Sequence, residues 1–180
     1  MRHKVNGNWI FELPFGPNRA MLNKGGVWAK ILDGYSVSGD FTFATGTYAT
    51  PVYSGTTAEI ASGAGTSLRP NRVAGQTIGG TKTLRNWFNT ASFSAPAAGT
   101  YGNASRNSIR LPGTMVVDGS LSRTVPLGDT RSFEGRVTAS NVLNIVQYSG
   151  VSTTINSPTF GQVLSAAAMR QLTFIARFRF

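Results

Sequence analysis

Hydrophobic and polar side chains alternate along several stretches of the chain, most clearly at residues 171–180. The alternate positions on one side of this segment are all apolar, namely Leu172, Phe174, Ala176, Phe178 and Phe180. Successive side chains of an extended strand point to opposite faces, so the segment predicts a strand with one apolar and one largely polar face. Aromatic residues on such an apolar face are typical of a surface that contacts lipid.

Four further segments alternate in the same way. In chain order they are His3–Leu13, Gly34–Thr50, Thr114–Val125 and Arg131–Leu143. In the second of these the alternation holds for about ten residues, the length that a tilted strand needs to cross a bilayer. We therefore predict an all-β fold of antiparallel, up-and-down transmembrane β-barrel strands, about five in number and forming a partial barrel with long extracellular loops. Tyr35 and Tyr48 are predicted interfacial anchors.

The connections between the predicted strands differ greatly in length. Residues 51–113 are long and rich in Gly, Ser, Thr, Asn and Pro, residues 126–130 form a short turn, and residues 144–168 form a second long segment. Outer-membrane barrels combine long extracellular loops with short periplasmic turns. We therefore predict that residues 51–113 and 144–168 are outer loops and that residues 1–180 are one portion of a barrel.

Two of the connections contain apolar residues that suggest local packing. Four aromatic residues of the first long loop are expected to pack within it: Trp87, Phe88, Phe93 and Tyr101. The run Val27–Leu32, between the first two strands, is apolar, and we expect it to lie at an interface.

Composition favours β-structure and argues against several classes of function. Charged residues make up only 13% of the chain and cysteine is absent, so neither a disulfide framework nor a thiolate metal site is predicted. The net charge is +10, but the basic residues are scattered singly and do not form a nucleic-acid-binding arm, so we predict no nucleic-acid partner. No apolar run approaches the ~20 residues of a transmembrane helix, and the first residues lack a signal-peptide core.

The candidate site residues lie on the polar faces of the predicted strands. Five charged residues are predicted to face the barrel lumen: Glu12, Asp40, Asp118, Glu134 and Arg136. A solvated lumen lining is their simpler interpretation, and contact with a substrate is the alternative. No acidic residues have the spacing of a catalytic pair or a metal-binding loop, and the single histidine, His3, lies near the start. We therefore predict no enzymatic activity and no cofactor or metal.

The same alternation also occurs in soluble β-sandwiches, in which two sheets pack their apolar faces together. The alternative prediction is therefore a soluble, basic β-sandwich that serves as a structural or carbohydrate-binding module. Strand length, unequal loops and the aromatic strand at residues 171–180 favour the barrel. The alternatives differ in whether the phenylalanines contact lipid or are enclosed between two sheets.

Short segments spread along nearly the whole chain carry a resemblance to a known family. They include WIFELPFGPN at Trp9–Asn18, ILDGYSVSGDFTFATG at Ile31–Gly46, WFNTASF at Trp87–Phe93, YGNASRNSIRLP at Tyr101–Pro112 and the segment Phe178–Phe180. In this order and spacing they resemble the C-terminal end of a TonB-dependent outer-membrane receptor. The likeness is to the Oar-type proteins, which carry a carboxypeptidase-regulatory-like N-terminal domain.

The resemblance implies a barrel of about twenty-two strands that is filled by a plug domain. It implies uptake of bulky ligands across the cell outer membrane, driven by a TonB-type energy-coupling complex that acts through an N-terminal part of the receptor. Phe174, Phe178 and Phe180 match the signal that the outer-membrane assembly machinery recognises in this family. About five strands cannot close even an eight-stranded barrel. We therefore expect a fragment, inactive alone, whose partners are outer-membrane lipid and the rest of the barrel and plug.

Overall fold

A computed structural model describes residues 2–17, 19–24, 26–55, 67–128 and 130–180 of the chain. Residues 56–66 of the predicted outer loop, Asp129 of the predicted short turn, and Asn18 and Gly25 therefore lie outside the described residues. The chain divides into two compact units. The loop unit comprises Met1–His3, Ala44–Thr114 and Gln147–Ala167, and the strand unit comprises Lys4–Phe43, Met115–Val146 and Ala168–Phe180.

The regular structure of the described residues is almost entirely β. In chain order the elements are β1 (Lys4–Glu12), α1 (Val27–Leu32), β2 (Tyr35–Ala44), β3 (Tyr48–Ala49), β4 (Tyr53–Ser54), β5 (Ser67–Leu68), β6 (Asn71–Arg72), a 3-10 turn (Thr90–Ser92), β7 (Phe93–Ser94), β8 (Ile109–Arg110), β9 (Thr114–Pro126), β10 (Ser132–Ser140), β11 (Tyr148–Val151), β12 (Val163–Ala166) and β13 (Gln171–Arg179). Among these residues, no helix is long and apolar enough to cross a membrane.

The five long strands form one sheet in the order β1-β2-β9-β10-β13, so each pairs with the long strand that precedes it in the chain. The pairs β9–β10 and β10–β13 are antiparallel. The strands contain 9, 10, 13, 9 and 9 residues, which meets the requirement of about 9–11 for a tilted strand that crosses a bilayer. The predicted all-β, up-and-down arrangement of about five antiparallel strands is confirmed.

The second predicted strand, Gly34–Thr50, is shorter than its sequence pattern suggests. Strand β2 ends at Ala44, and Tyr48 belongs instead to β3, which pairs with β8 in the loop unit. Gly46 separates the two strands, and a side chain there would clash with the carbonyl oxygen of Leu111. Tyr48 therefore does not lie on the strand that it was predicted to anchor, because the backbone packs closely at Gly46.

The apolar run between β1 and β2 forms the six-residue helix α1, which the sequence analysis did not predict. The Arg123 guanidinium caps its C-terminal end by donating hydrogen bonds to the carbonyl oxygens of Asp33, at 3.1 Å, and Lys30, at 2.6 Å. The same guanidinium lies 5.2 Å from the ring centre of Tyr35. A helix of this length is too short to show a period in the sequence, and it depends on these tertiary contacts.

The loop unit has a hydrophobic core of its own, built from both long connections. The buried residues at its centre are Trp87, Phe88, Phe93, Ala104 and Ile109. The Phe88 ring meets those of Phe93 and Phe160 edge to face, with centroid distances of 6.2 and 5.1 Å. The expected packing of Trp87, Phe88 and Phe93 is confirmed. The expectation that Tyr101 packs in this core was wrong, because Tyr101 is 67% exposed.

Candidate functional site: the two faces of the sheet

One face of the five-stranded sheet carries apolar residues on every strand, and Arg123 of β9 lies on the same face as Leu121. We call this the apolar face, and its larger residues are Trp9, Phe11, Val37, Phe41, Phe43, Val117, Leu121, Phe133, Val137, Phe174 and Phe178. The register places Val137 between Leu121 and Phe174, so the apolar positions coincide from strand to strand. A shift of one residue in the pairing of any strand would turn its apolar side chains to the opposite face of the sheet.

The apolar face is open. Phe174 is 74% exposed and Phe11 is 56% exposed, although both are large apolar residues. A β-sandwich would instead enclose these side chains between two sheets. An apolar surface of this extent on a folded protein needs an apolar environment.

A shallow trough of about 400 Å³ crosses the centre of the apolar face. Its floor includes Gly119, and Trp9, Val37, Leu121 and Val137 are among the side chains around it. The indole of Trp9 lies directly over Gly39, where a Cβ atom would come within 2.8 Å of the ring. Gly39 therefore leaves room for the Trp9 ring to approach the sheet closely.

We predict that Gly39→Ala destabilises the strand unit by about 1–3 kcal/mol, because the new methyl group would meet the Trp9 ring and the carbonyl oxygen of Asp118. The free energy of unfolding in detergent micelles, measured by urea titration, tests this. Gly135→Ala is the control in the same sheet, since its methyl group would meet nothing nearer than 3.9 Å. Equal losses in the two variants would contradict the prediction.

The opposite face of the sheet is largely polar, with Ile10 and Ile175 among the exceptions, and we call it the polar face. Hydroxyl groups connect its strands: the Ser36 and Ser122 oxygens are 3.0 Å apart, and Thr138 donates to Ser120 at 3.5 Å. Alternation along the strands places all five predicted lumen residues on this face, namely Glu12, Asp40, Asp118, Glu134 and Arg136. That the polar face lines a lumen remains a prediction.

The structure brings some of these five residues together and keeps others apart. Asp40 and Asp118 line one depression of about 260 Å³. Glu134 and Arg136 form an ion pair with an N–O distance of 2.7 Å. Glu12 pairs instead with Arg19 at 3.0 Å, and both side chains are largely exposed. Among the described residues, no group of three or more His, Asp or Glu side chains could hold a metal ion.

Glu134 is the centre of an arginine cluster on the polar face. Besides Arg136, its carboxylate lies 3.7 Å from an Arg177 nitrogen and 3.8 Å from an Arg179 nitrogen. One carboxylate therefore faces three guanidinium groups, and the cluster retains an excess of positive charge. Arg177 and Arg179 were not among the predicted site residues, although the alternation in 171–180 already placed them on the polar face.

Asp118 has a structural partner. Its carboxylate accepts a hydrogen bond of 2.7 Å from the backbone N–H of Asn141, directly after β10. The Asn141 side chain donates to the Ile145 carbonyl at 2.9 Å and accepts from the Ile145 N–H at 3.1 Å, which closes the turn. Asp118 thus holds the end of β10, which favours the simpler interpretation of this residue over a substrate contact.

Comparison with known proteins agrees with the two-faced sheet. The family model of the outer membrane beta barrel domain matches residues 1–173 of the chain. Searches of curated proteins and of solved structures found no match. The match spans four of the five long strands and the start of β13, and it places the protein in the cell outer membrane. This chain belongs to the outer membrane beta barrel domain family.

Proposed function

We propose that this chain is the C-terminal barrel portion of a TonB-dependent receptor, which takes up bulky ligands across the outer membrane and has no enzymatic activity. The observation that carries the proposal is an open sheet with one apolar face. Within the described residues, β1 and β13 each have a partner strand on one side only. Unpaired strand edges are not tolerated in lipid, so further strands must complete the barrel. A receptor barrel of about twenty-two strands would supply them.

The polar face supports a barrel with a filled interior. The three arginines near Glu134 keep much of their side chains exposed: 44% for Arg136, 56% for Arg177 and 63% for Arg179. Barrels of about twenty-two strands enclose a plug domain, whereas small barrels fill their interiors with their own side chains. Exposed guanidinium groups on this face are suited to contact with the carboxylates of such a plug.

The segment at residues 171–180 supports recognition by the outer-membrane assembly machinery. Phe174 and Phe178 lie on the apolar face of an edge strand, and the Phe178 and Phe180 rings stack at 6.2 Å. Phe180 is 95% exposed. An exposed aromatic strand with an unpaired edge offers both backbone and side-chain contacts to a partner strand. We propose these three phenylalanines as the assembly signal.

The proposal is tested on the complete product of the gene that encodes this chain, purified from outer membranes in detergent. We expect one polypeptide that contains additional strands and a plug, behaves as a monomeric barrel, and is retained by the immobilised periplasmic domain of TonB. Retention should be lost when the N-terminal part through which the energy-coupling complex acts is deleted, and this variant is the matched control. A barrel that several copies of the chain complete, or one that TonB does not retain, would overturn the receptor proposal.

A further inference from the structure

Nearly all charged residues of the loop unit are basic. Its basic residues are Arg2, Arg69, Arg72, Lys82, Arg85, Arg106 and Arg110. Its one acidic residue is Glu59, which lies outside the described residues, and the other acidic residues of the chain belong to the strand unit. A surface with this imbalance attracts anions over several ångströms and raises their local concentration.

Some of these basic residues have structural roles within the unit. Arg69 donates to the carbonyl oxygen of Ala104 at 3.1 Å. Arg72 donates to the carbonyl oxygens of Ser92, at 2.9 Å, and Gln76, and its guanidinium lies 5.9 Å from the ring centre of Phe93. These two arginines hold loop backbone in place, so they are not free to bind a ligand with their full hydrogen-bonding capacity.

Lys82 and Arg110 differ from them because both line one cleft of about 330 Å³. Trp87 lies in the same cleft, with its ring centre 5.0 Å from the Lys82 ammonium and its Nε1–H donating to the carbonyl oxygen of Arg110 at 2.9 Å. The backbone of Lys82 has a φ of 58°, a left-handed conformation that a lysine adopts only when its surroundings hold it there. Gly46 closes another wall, where its backbone packs against Leu111.

The two cations have no counter-ion among the described residues. Neither Lys82 nor Arg110 takes part in an ion pair there. Partial burial and the nearby positive charge of Arg110 both lower the pKa of Lys82 below its ordinary value. Two like charges in one cleft, with no carboxylate of the described residues paired to either, form an incomplete electrostatic arrangement.

We propose that the cleft between Lys82, Trp87 and Arg110 binds a phosphate-bearing anion. A phosphate group carries enough negative charge to neutralise both cations, and it can accept hydrogen bonds from an ammonium and a guanidinium together. The anion is either a phosphate group of neighbouring lipopolysaccharide or a soluble phosphate ester. The inference rests on the proposed function only in assuming that the loop unit faces the cell exterior, since binding itself requires no transport.

The protein purified from outer membranes in detergent is titrated with inorganic phosphate at constant ionic strength, and heat of binding is measured. Lys82→Gln and Arg110→Gln should each weaken binding about ten-fold, because each removes one charge-assisted hydrogen-bond donor. Arg110→Lys should restore most of the affinity. Arg85→Gln is the matched control, since it removes one positive charge from the same unit outside the cleft and should change affinity less than about two-fold.

A second arm distinguishes the source of the anion. The protein is mixed with phosphatidylcholine vesicles that contain or lack lipopolysaccharide, and the bound fraction is measured by flotation. Preferential binding to the lipopolysaccharide vesicles, lost in Arg110→Gln, identifies the lipid; phosphate binding without this preference identifies the soluble ester. No phosphate binding, or equal losses in Arg85→Gln and Arg110→Gln, would overturn the proposed site. Heat-modifiable migration of each variant in gels reports barrel formation separately, so failure of the cleft and failure of the barrel remain distinguishable.

Discussion

Leu121→Arg is expected to destabilise the membrane-inserted protein by about 2–4 kcal/mol. Leu121 lies on β9, near the centre of the apolar face, and pairs with Val137 of β10. It is 42% exposed, so an arginine would fit without overlapping a packed core. In water such an exposed substitution would change the free energy of unfolding by only about 0.5 kcal/mol. A large loss therefore reports contact with hydrocarbon, where a charged side chain lacks solvation.

The control for this prediction is the adjacent residue on the other face. Ser120 lines the depression that contains Asp40 and Asp118, so Ser120→Arg would place its charge beside two carboxylates. We expect a change of less than about 1 kcal/mol for this variant. The measurement is the urea midpoint of unfolding from phospholipid vesicles, followed by loss of heat-modifiable migration. Similar losses for the two variants would show that the two faces do not differ in environment.

Phe88→Ala is expected to cost the loop unit about 3–5 kcal/mol, because it removes a ring at the centre of the core and leaves a cavity. Phe88 is only 2% exposed and contacts the rings of Phe93 and Phe160. Since Phe93 and Phe160 come from different long connections, loss of Phe88 should loosen both. Limited proteolysis of intact cells should then cleave both predicted outer loops, 51–113 and 144–168, more readily than in the unmodified protein.

The matched control is another aromatic residue of the same loop. Tyr101 is 67% exposed, so Tyr101→Ala should leave protease resistance nearly unchanged. The long strands do not contain Phe88, and heat-modifiable migration of the Phe88→Ala protein should therefore be retained. Unchanged protease resistance in Phe88→Ala would contradict the view that one shared core stabilises the two connections.

The long strands could be predicted from the sequence because their side chains alternate with a period that depends only on strand geometry. The predicted segment Thr114–Val125 became Thr114–Pro126, and Arg131–Leu143 became Ser132–Ser140. The shift at the second end has a local cause, since the Asn141 side chain bonds to Ile145 and closes a turn that alternation cannot reveal. The sequence therefore predicted that these segments are strands, whereas the residues at which they end depend on hydrogen bonds seen only in the structure.

The candidate site was predictable in part. Alternation alone predicted that Glu134 and Arg136 lie on the polar face. That Arg177 and Arg179 lie close to Glu134 depends on the register of β10 with β13. The cleft of Lys82 and Arg110 had no sequence signal, because the two residues are far apart in the chain and lie among short, irregular segments. Long-range proximity of this kind is decided by packing.

The sequence by itself determined which side of each strand is apolar, because hydrophobic periodicity is a property of neighbouring residues and survives without any knowledge of the fold. Tertiary structure alone decided that residues from both long connections share one aromatic core. It also decided that Val27–Leu32 forms a helix whose C-terminal end is capped by Arg123. The ion pairs of the Glu134 carboxylate with three arginines have the same origin. Each of these depends on contacts between distant residues, whose free energy arises only when the chain brings them together.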